Sequence, residues 1–465
     1  MTNLNILKLN NLFSYFFIFL FTYFNFIWVI MDPLLGNYQH IHIINIFNVK
    51  TYLSIDGLNF FFIYLTSLLI LLCLLFNINN KYNLIEKYKH NLLIFSIGIL
   101  LLIVFMTMDF LFFYISFELI LIPFFIYIGI SGYKNRRIHA SYLFFFYTLF
   151  GSFFLLVSIL FLFLQIGNYS YEILWNTEFL ENRNYLLWFS LFIAFAVKIP
   201  TFPFYIWLPE AHVEAPTTGS VLLAGLLLKL GSYGILRFLL PIFIELNYYF
   251  SNLVNSISII SIFFASYSTI RQIDIKKIIA YSSIAHMNMC ILGLYSFNDI
   301  ALVGSIFLMI GHGVVASGLF FVIGILYNRF NTKLLFYYNG IIYYMPLLSF
   351  FFFFYILGNI SLPSTSNFIG ELLIIKGIIY NNYKISIFII IINILFCTIY
   401  SMWLYNKITF LLPKFYWIIV MDLNYTEFLI LSIILFYVLF FGFFPNYVLC
   451  ILDTSVLYYY FYIIA

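Results

Sequence analysis

The sequence predicts an all-α polytopic membrane protein with about 13–14 transmembrane helices, built as two inverted five-helix repeats that each contain a broken helix. Three observations lead there. Of 465 residues, 65% are hydrophobic and only 8% charged, where ordinary soluble domains carry about 25% charged residues. The apolar residues gather into successive runs of roughly 20, the length an α-helix needs to cross the hydrocarbon core. Finally, two of these runs are interrupted by proline, and the interruptions lie five spans apart.

Taken in order, the runs fall at roughly 11–31, 56–78, 91–107, 110–130, 138–166, 185–206, 216–241, 252–270, 276–297, 299–327, 342–380, 384–412 and 426–444. The run 342–380 is too long for one simple helix. The stretch 32–54, with Asp32, Pro33, His40, His42 and Lys50, is only weakly apolar. The aromatic tail 446–465 either lies at the membrane interface or forms a short extra helix. Loop charges support this map. One set of alternate loops holds Lys81, Lys87, Lys89, Lys134, Arg136, Arg137, Arg271, Lys276, Lys277, Arg329, Lys333, Lys407 and Lys414. The other set holds little beyond Arg183, Lys384 and the helix-end Arg237. The positive-inside rule places the first set in the cytoplasm or, in a mitochondrion, in the matrix. The N-terminus falls on that same side.

Phe (62), Tyr (40), Ile and Asn are abundant, and their AT-rich codons point to an organelle genome. No Arg/Ser-rich presequence is visible, which fits synthesis inside the organelle; a bacterial inner-membrane protein would read the same way.

In 185–206, Pro200 and Pro203 follow Lys198; in 342–380, Gly358, Pro363 and the polar SLPSTSN precede Glu371. Proline breaks a helix and frees carbonyls, which lipid tolerates only where protein or water satisfies them. A five-helix unit used twice inverts its topology, because five is odd, and inverted repeats with discontinuous helices recur in ion-moving proteins. The expected division is 1–90 for N-terminal helices, 91–241 and 252–412 for the two repeats, and 426–465 for a C-terminal transmembrane helix and tail.

Six ionisable side chains stand near the middles of apolar spans: Glu118, Lys198, Lys229, His286, His312 and Glu371. A lysine at mid-bilayer costs roughly 2.5–3.5 kcal/mol, and the six together on the order of 15 kcal/mol if unpaired. Singly, each reads as a helix–helix contact or a snorkelling end residue. Together they must pair or line a hydrated path, and chains of such groups mark proton relays. A Glu118–Lys198 pair that opens and closes would switch the hold of the lysine on its proton. In the polar connector LPEAHVEAPTTG, His212 and Glu214 read either as surface loop residues or as a proton inlet from the basic-loop side. Lys376 snorkels or pairs with Glu371, and Asp109 suits the first turn of the Glu118 helix.

Cys73, Cys290, Cys397 and Cys450 are scattered singly through apolar runs, as buried inert thiols are, without metal or redox spacing. Phosphate loops, nucleophile triads and carboxylate-rich metal loops are absent from the sequence, so nucleotide, flavin and nucleic-acid binding are not expected.

The run WLPEAHVEAPTTGSVLLAGLLLKLGSYGILR resembles a block of the antiporter-like membrane subunits of respiratory complex I, NADH–ubiquinone oxidoreductase, and among them the chain 4 group. DGLNFFF at 56–62, FYISFELILIP at 113–123, YTLFGS at 147–152, KKIIAYSSIAHMN at 276–288, GHGVVASGLF at 311–320 and SLPSTSNFIGELLI at 361–374 match in order. The glutamate after the second break, Glu371, is similar to chain 4, where the sister subunits carry lysine. The resemblance spans roughly 50–445 and implies a multi-pass subunit of the mitochondrial inner membrane with sister antiporter-like subunits and lipids as partners. It implies no cofactor in this chain, with NADH, FMN, iron–sulfur clusters and ubiquinone handled by other subunits. It also implies a Glu118–Lys198 pair, Lys229 as the central lysine, Glu371 as the terminal glutamate, and His212, His286 and His312 on a hydrated axis. Family members usually have fourteen spans, so the resemblance implies that this chain departs from them by one span at the N-terminus. The competing readings are a cation/proton antiporter subunit, which shares the repeat, and a structural membrane subunit with a vestigial channel.

Overall fold

A computed structural model describes residues 2–46, 49–78, 83–132, 136–177, 181–380, 384–412 and 421–464. It is a helical bundle in chain order α1 (Thr2–Ile30), a hairpin β1 (His40–Ile46) and β2 (Val49–Ile55), α2 (Gly57–Ile78), α3 (Leu84–Met106), α4 (Phe110–Ser131), α5 (Arg137–Ile166), α6 (Glu181–Lys198), α7 (Trp207–Glu214), α8 (Thr217–Ile242), α9 (Ile244–Arg271), α10 (Ile275–Leu294), α11 (Asp299–Phe330), α12 (Pro346–Ile360), α13 (Ser366–Tyr380), α14 (Lys384–Thr409), α15 (Tyr425–Phe443) and α16 (Asn446–Ile464). Ten of the described helices are long and apolar enough to cross a membrane. The runs expected from hydropathy are largely helical; the helix of 185–206 ends at Lys198, with α7 starting beyond the run, and 342–380 is split into α12 and α13.

The bundle is organised around α11. Its membrane-spanning stretch is wholly buried, as is that of α8, whereas the spanning stretches of α1 and α5 are 17% and 33% buried. The outer helices turn Phe19, Phe26, Phe146, Phe153 and Leu164 outward, as a lipid-facing surface requires. Hydrophobic burial does not drive helix association within lipid, so close approach of small residues takes its place. A Cβ on Gly370 of α13 would sit 2.7 Å from the Leu308 Cα of α11, and one on Gly313 of α11 3.2 Å from the Gly225 carbonyl of α8.

Two local features differ from the sequence expectation, and a third decides between the alternatives given for the tail. The weakly apolar stretch 32–54 holds the antiparallel β1–β2 hairpin, pairing His40 with Ile55 through Ile46 with Val49. Asn59 Nδ2 fastens it by donating to Ser54 O at 2.9 Å and Phe105 O at 3.0 Å. Arg237 is no loop-end charge: it is buried and bonded to Asp56 Oδ2 at 2.5 Å, among Tyr38, Tyr171 and Tyr233. The tail is a helix, α16. Val448, Leu452 and Val456 repeat every four residues on its buried side, while Ile451 and Ser455 pack on Gly57 and Thr454 and Tyr458 on Gly36, at the hairpin end of the bundle.

At the opposite end, Arg136, Asp274, Lys277 and Lys333 surround one cavity. Arg329 bonds Glu427 Oε2 at 2.6 Å and the Asp422 carbonyl at 2.8 Å, while Asp422 Oδ2 accepts from Leu347 N at the start of α12. Lys81, Lys134 and Lys414 of the predicted basic loops lie outside the described residues, as does the side chain of Lys384.

Removing one partner of a buried ion pair leaves a stranded charge and costs about 3–5 kcal/mol. Asp56→Ala should therefore lower the melting temperature of the assembled protein, and Asp56→Leu combined with Arg237→Met should recover most of it. Unchanged melting of Asp56→Ala would show that the pair does not hold the hairpin end together.

Candidate functional site

The first break places Lys198 at the C-terminal end of α6, where helix carbonyls point outward and favour a cation. Pro200 cannot donate to the Ala196 carbonyl; Thr201 does so instead, through N at 3.1 Å and Oγ1 at 3.3 Å. Trp207 Nε1 donates to the Val197 carbonyl at 3.0 Å. Lys198 Nζ is buried without a hydrogen-bond partner and lies 4.3 Å from the centre of the Phe117 ring. Glu118, half-buried on α4, has Oε1 unbonded, and no ion pair closes between it and Lys198. Here the expected pair is open.

A second group forms one contiguous row. In α8, π-helical turns at Leu223–Leu227 and Ile235–Leu239 flank Lys229. A π-turn disrupts the regular carbonyl ladder, and Lys229 Nζ donates to Ala224 O within the first of them. The same Nζ stands 3.0 Å from His312 Nδ1 on α11. The His312 and His286 rings are 5.6 Å apart between centres. On α10, His286 Nδ1 is 3.1 Å from Glu371 Oε1 of α13. All four side chains are buried, none more than 4% exposed. Lys376 is exposed and makes no ion pair with Glu371, which fits the snorkelling reading.

His212 and Glu214 belong to a buried helix, α7, and not to a surface loop; they are 0% and 3% exposed. His212 stacks on Phe320 at 4.8 Å with both ring nitrogens unbonded. Beside α7 lies a cavity of about 370 Å³ lined by Arg136, Glu210, Glu214, Asp274, Lys277 and Lys333. Lys277 bonds Glu210 at 2.6 Å, and Lys333 Nζ is 3.6 Å from Glu214 Oε2. Two cations expected to be loop charges are buried and serve the end of α7: Lys333 Nζ donates to Val213 O, and Lys276 Nζ to Ala215 O at 2.8 Å. Both satisfy carbonyls that the helix leaves open.

Of the seven predicted site residues, Lys229, His312, His286 and Glu371 are thus brought together, Glu118 and Lys198 form no ion pair, and His212 stacks on Phe320 with its ring nitrogens unbonded. The sequence reading missed Lys276, Lys333 and Cys397, whose Sγ is 3.9 Å from His286 Nε2. The signal available for the first two was a lysine adjoining a helix boundary near LPEAHVEAP.

A bundle with two discontinuous helices and a buried Lys–His–His–Glu row defines an antiporter-like membrane subunit. Residues 107–397 match the NADH:quinone oxidoreductase/Mrp antiporter transmembrane family, and the chain belongs to that family. It is similar to NADH-ubiquinone oxidoreductase chain 4 of Acanthamoeba castellanii, 43% identical over 88% of this chain and 82% of the relative. With chain 4 of Marchantia polymorpha it shares 42% identity over 94% and 88%. Among solved structures it resembles a chain of respiratory complex I from Thermus thermophilus with bound NADH, with a TM-score of 0.88 and 25% identity over 100% of this chain and 96% of that one. A chain of the Mrp complex from a Dietzia species shares the fold, with a TM-score of 0.86 and 17% identity over 98% and 93%.

The cavity should open to the basic-loop side alone. With Cys450→Ser as background, Glu210→Cys should react with a membrane-impermeant maleimide added on that side, and His212→Cys should not. Labelling of Glu210→Cys from the hairpin side would reverse the orientation.

Proposed function

We propose that this chain is a proton-translocating membrane-arm subunit of an NADH:ubiquinone oxidoreductase in the mitochondrial inner membrane, with its basic loops in the matrix. The observation that carries this reading is the contiguous buried row Lys229–His312–His286–Glu371. The 43% identity to a chain 4 relative supports the complex I setting over a free-standing cation/proton antiporter. In this reading the two repeats are 91–241 and 252–412. The chain holds no redox group of its own, and NADH, FMN, iron–sulfur clusters and ubiquinone belong to other subunits. Its neighbours are sister antiporter-like subunits and lipids.

The chemistry follows from partners and their absence. A proton reaches the cavity beside Glu214 and passes inward by way of His212, whose unbonded ring nitrogens can take and release it. Lys229 holds the proton as an ammonium between Ala224 O and His312 Nδ1. His312 and His286 relay it toward Glu371. Lys198 is the switch: buried without a hydrogen-bond partner, its ammonium is costly, and closing the gap to Glu118 would stabilise it. Opening and closing that pair changes the field along the row.

Replacing a group that takes and gives protons should cost two orders of magnitude or so in the step it serves. Lys229→Met and Glu118→Gln should assemble into the complex, while proton pumping per NADH oxidised falls at least about tenfold. Inverted membrane vesicles with a pH-sensitive dye measure this. Full pumping by an assembled Lys229→Met variant would refute the reading.

A further inference from the structure

The end of α12 carries a hydrogen-bond arrangement that the proton reading does not use. Asn359 lies one residue before the C-terminal end of α12, and the residue four further on is Pro363. In an unbroken helix the Asn359 carbonyl would accept from that position, but proline has no N–H to give. A thiol replaces it: Cys397 of α14 donates from Sγ to Asn359 O at 3.3 Å. The sulfur in turn accepts from the Tyr400 hydroxyl at 3.0 Å and lies 3.7 Å from Asn359 Nδ2. On its remaining side, it is 3.9 Å from His286 Nε2. Cys397, Tyr400, Asn359 and His286 are all buried.

This arrangement favours one nitrogen of His286 as the holder of hydrogen. The one S–H hydrogen is committed to the Asn359 carbonyl, so the sulfur meets Nε2 as an acceptor. Nε2 must then be the donor. Nδ1, 3.1 Å from Glu371 Oε1 but not in hydrogen-bond alignment with it here, is left as the nitrogen that gains and loses a proton. We propose that Cys397 is a positioning residue for proton transfer, holding the hydrogen of His286 on Nε2 so that exchange with Glu371 runs through Nδ1 alone.

The step balances as a proton shift. The Nδ1–H bond of an imidazolium with hydrogen on both nitrogens breaks and an O–H bond forms on the Glu371 carboxylate, which leaves a neutral imidazole beside a neutral carboxyl. The reverse step restores the ion pair. The thiol cannot pass the proton onward without giving up Asn359 O, so the row is closed on the α14 side. A third group that orients a histidine in this way is a recurrent device where its tautomer matters. The inference rests on the reading that this row carries protons.

The test uses the whole complex in inverted vesicles, with Lys229→Met as reference. Cys397→Val keeps the volume and removes the hydrogen bonds; pumping per NADH should fall about tenfold. Cys397→Ser keeps a donor for Asn359 O and an acceptor for Nε2, and should restore most of it. If Cys397→Val does not assemble, Cys397→Ala takes its place in the same comparison. Wild-type pumping by the Val or Ala variant, where Lys229→Met fails, overturns the role of Cys397 and leaves the proton row standing. Equal loss in the Ser and Val variants also overturns it, since packing alone would explain that result. Normal pumping by Lys229→Met would instead bring down the reading beneath.

Discussion

Lipid supplies no hydrogen-bond partner, so each carbonyl released by a broken or irregular helix must be answered from within the protein. Much of this molecule follows from that constraint. Ala196 O is met by Thr201, Val197 O by Trp207, and Asn359 O by Cys397. Cations answer the others: Ala224 O is met by Lys229, Val213 O by Lys333 and Ala215 O by Lys276. The breaks therefore draw polar side chains inward. Each break is where charge can be held at depth, because the carbonyls that need a donor are also the groups that solvate an ammonium.

The same constraint separates two kinds of buried charge. Arg237 and Asp56 are fully paired at 2.5 Å, with a cage of tyrosines around the guanidinium. Such a pair is a fastening, fixing the hairpin end of α8 to the start of α2. Lys198 and His212 lack hydrogen-bond partners. A group with nothing to hold its charge in place is free to change it, which sets Lys198 and His212 apart from the fastened Arg237–Asp56 pair.

Hydropathy made the spans readable, because a run of about 20 apolar residues has few other uses. The breaks were readable because Pro200, Pro203 and Pro363 sit in such runs, and the row because Lys229, His286, His312 and Glu371, each explicable alone, are too costly together to stand unpaired mid-span. What stayed hidden depended on distance in sequence. Asp56 and Arg237 meet across 181 residues, and nothing local marks either as the partner of the other. The β1–β2 hairpin, at His40–Ile46 and Val49–Ile55, was masked by alternation of His with Ile, too short and too weakly apolar to register. Lys276 and Lys333 read as loop charges, since a count of basic residues does not show which of them turn inward to cap α7. Cys397 read as an inert thiol, and only the missing N–H of Pro363, brought beside it by folding, gives it a task.

The four groups of the row come from the middle portions of α8, α10 and α11 and from α13 just past its break, so they lie at similar depth. A proton moving among them travels sideways and does almost no work against the membrane voltage. That work, roughly 2.3 kcal/mol per charge for each 100 mV crossed, falls on the vertical legs between the row and the two surfaces. The lateral row is therefore an equipotential shelf. On the proposed path, load on the machine would be felt at its ends, on the His212 side and wherever the proton departs, while the shelf would hold and redistribute charge whatever voltage the membrane has reached.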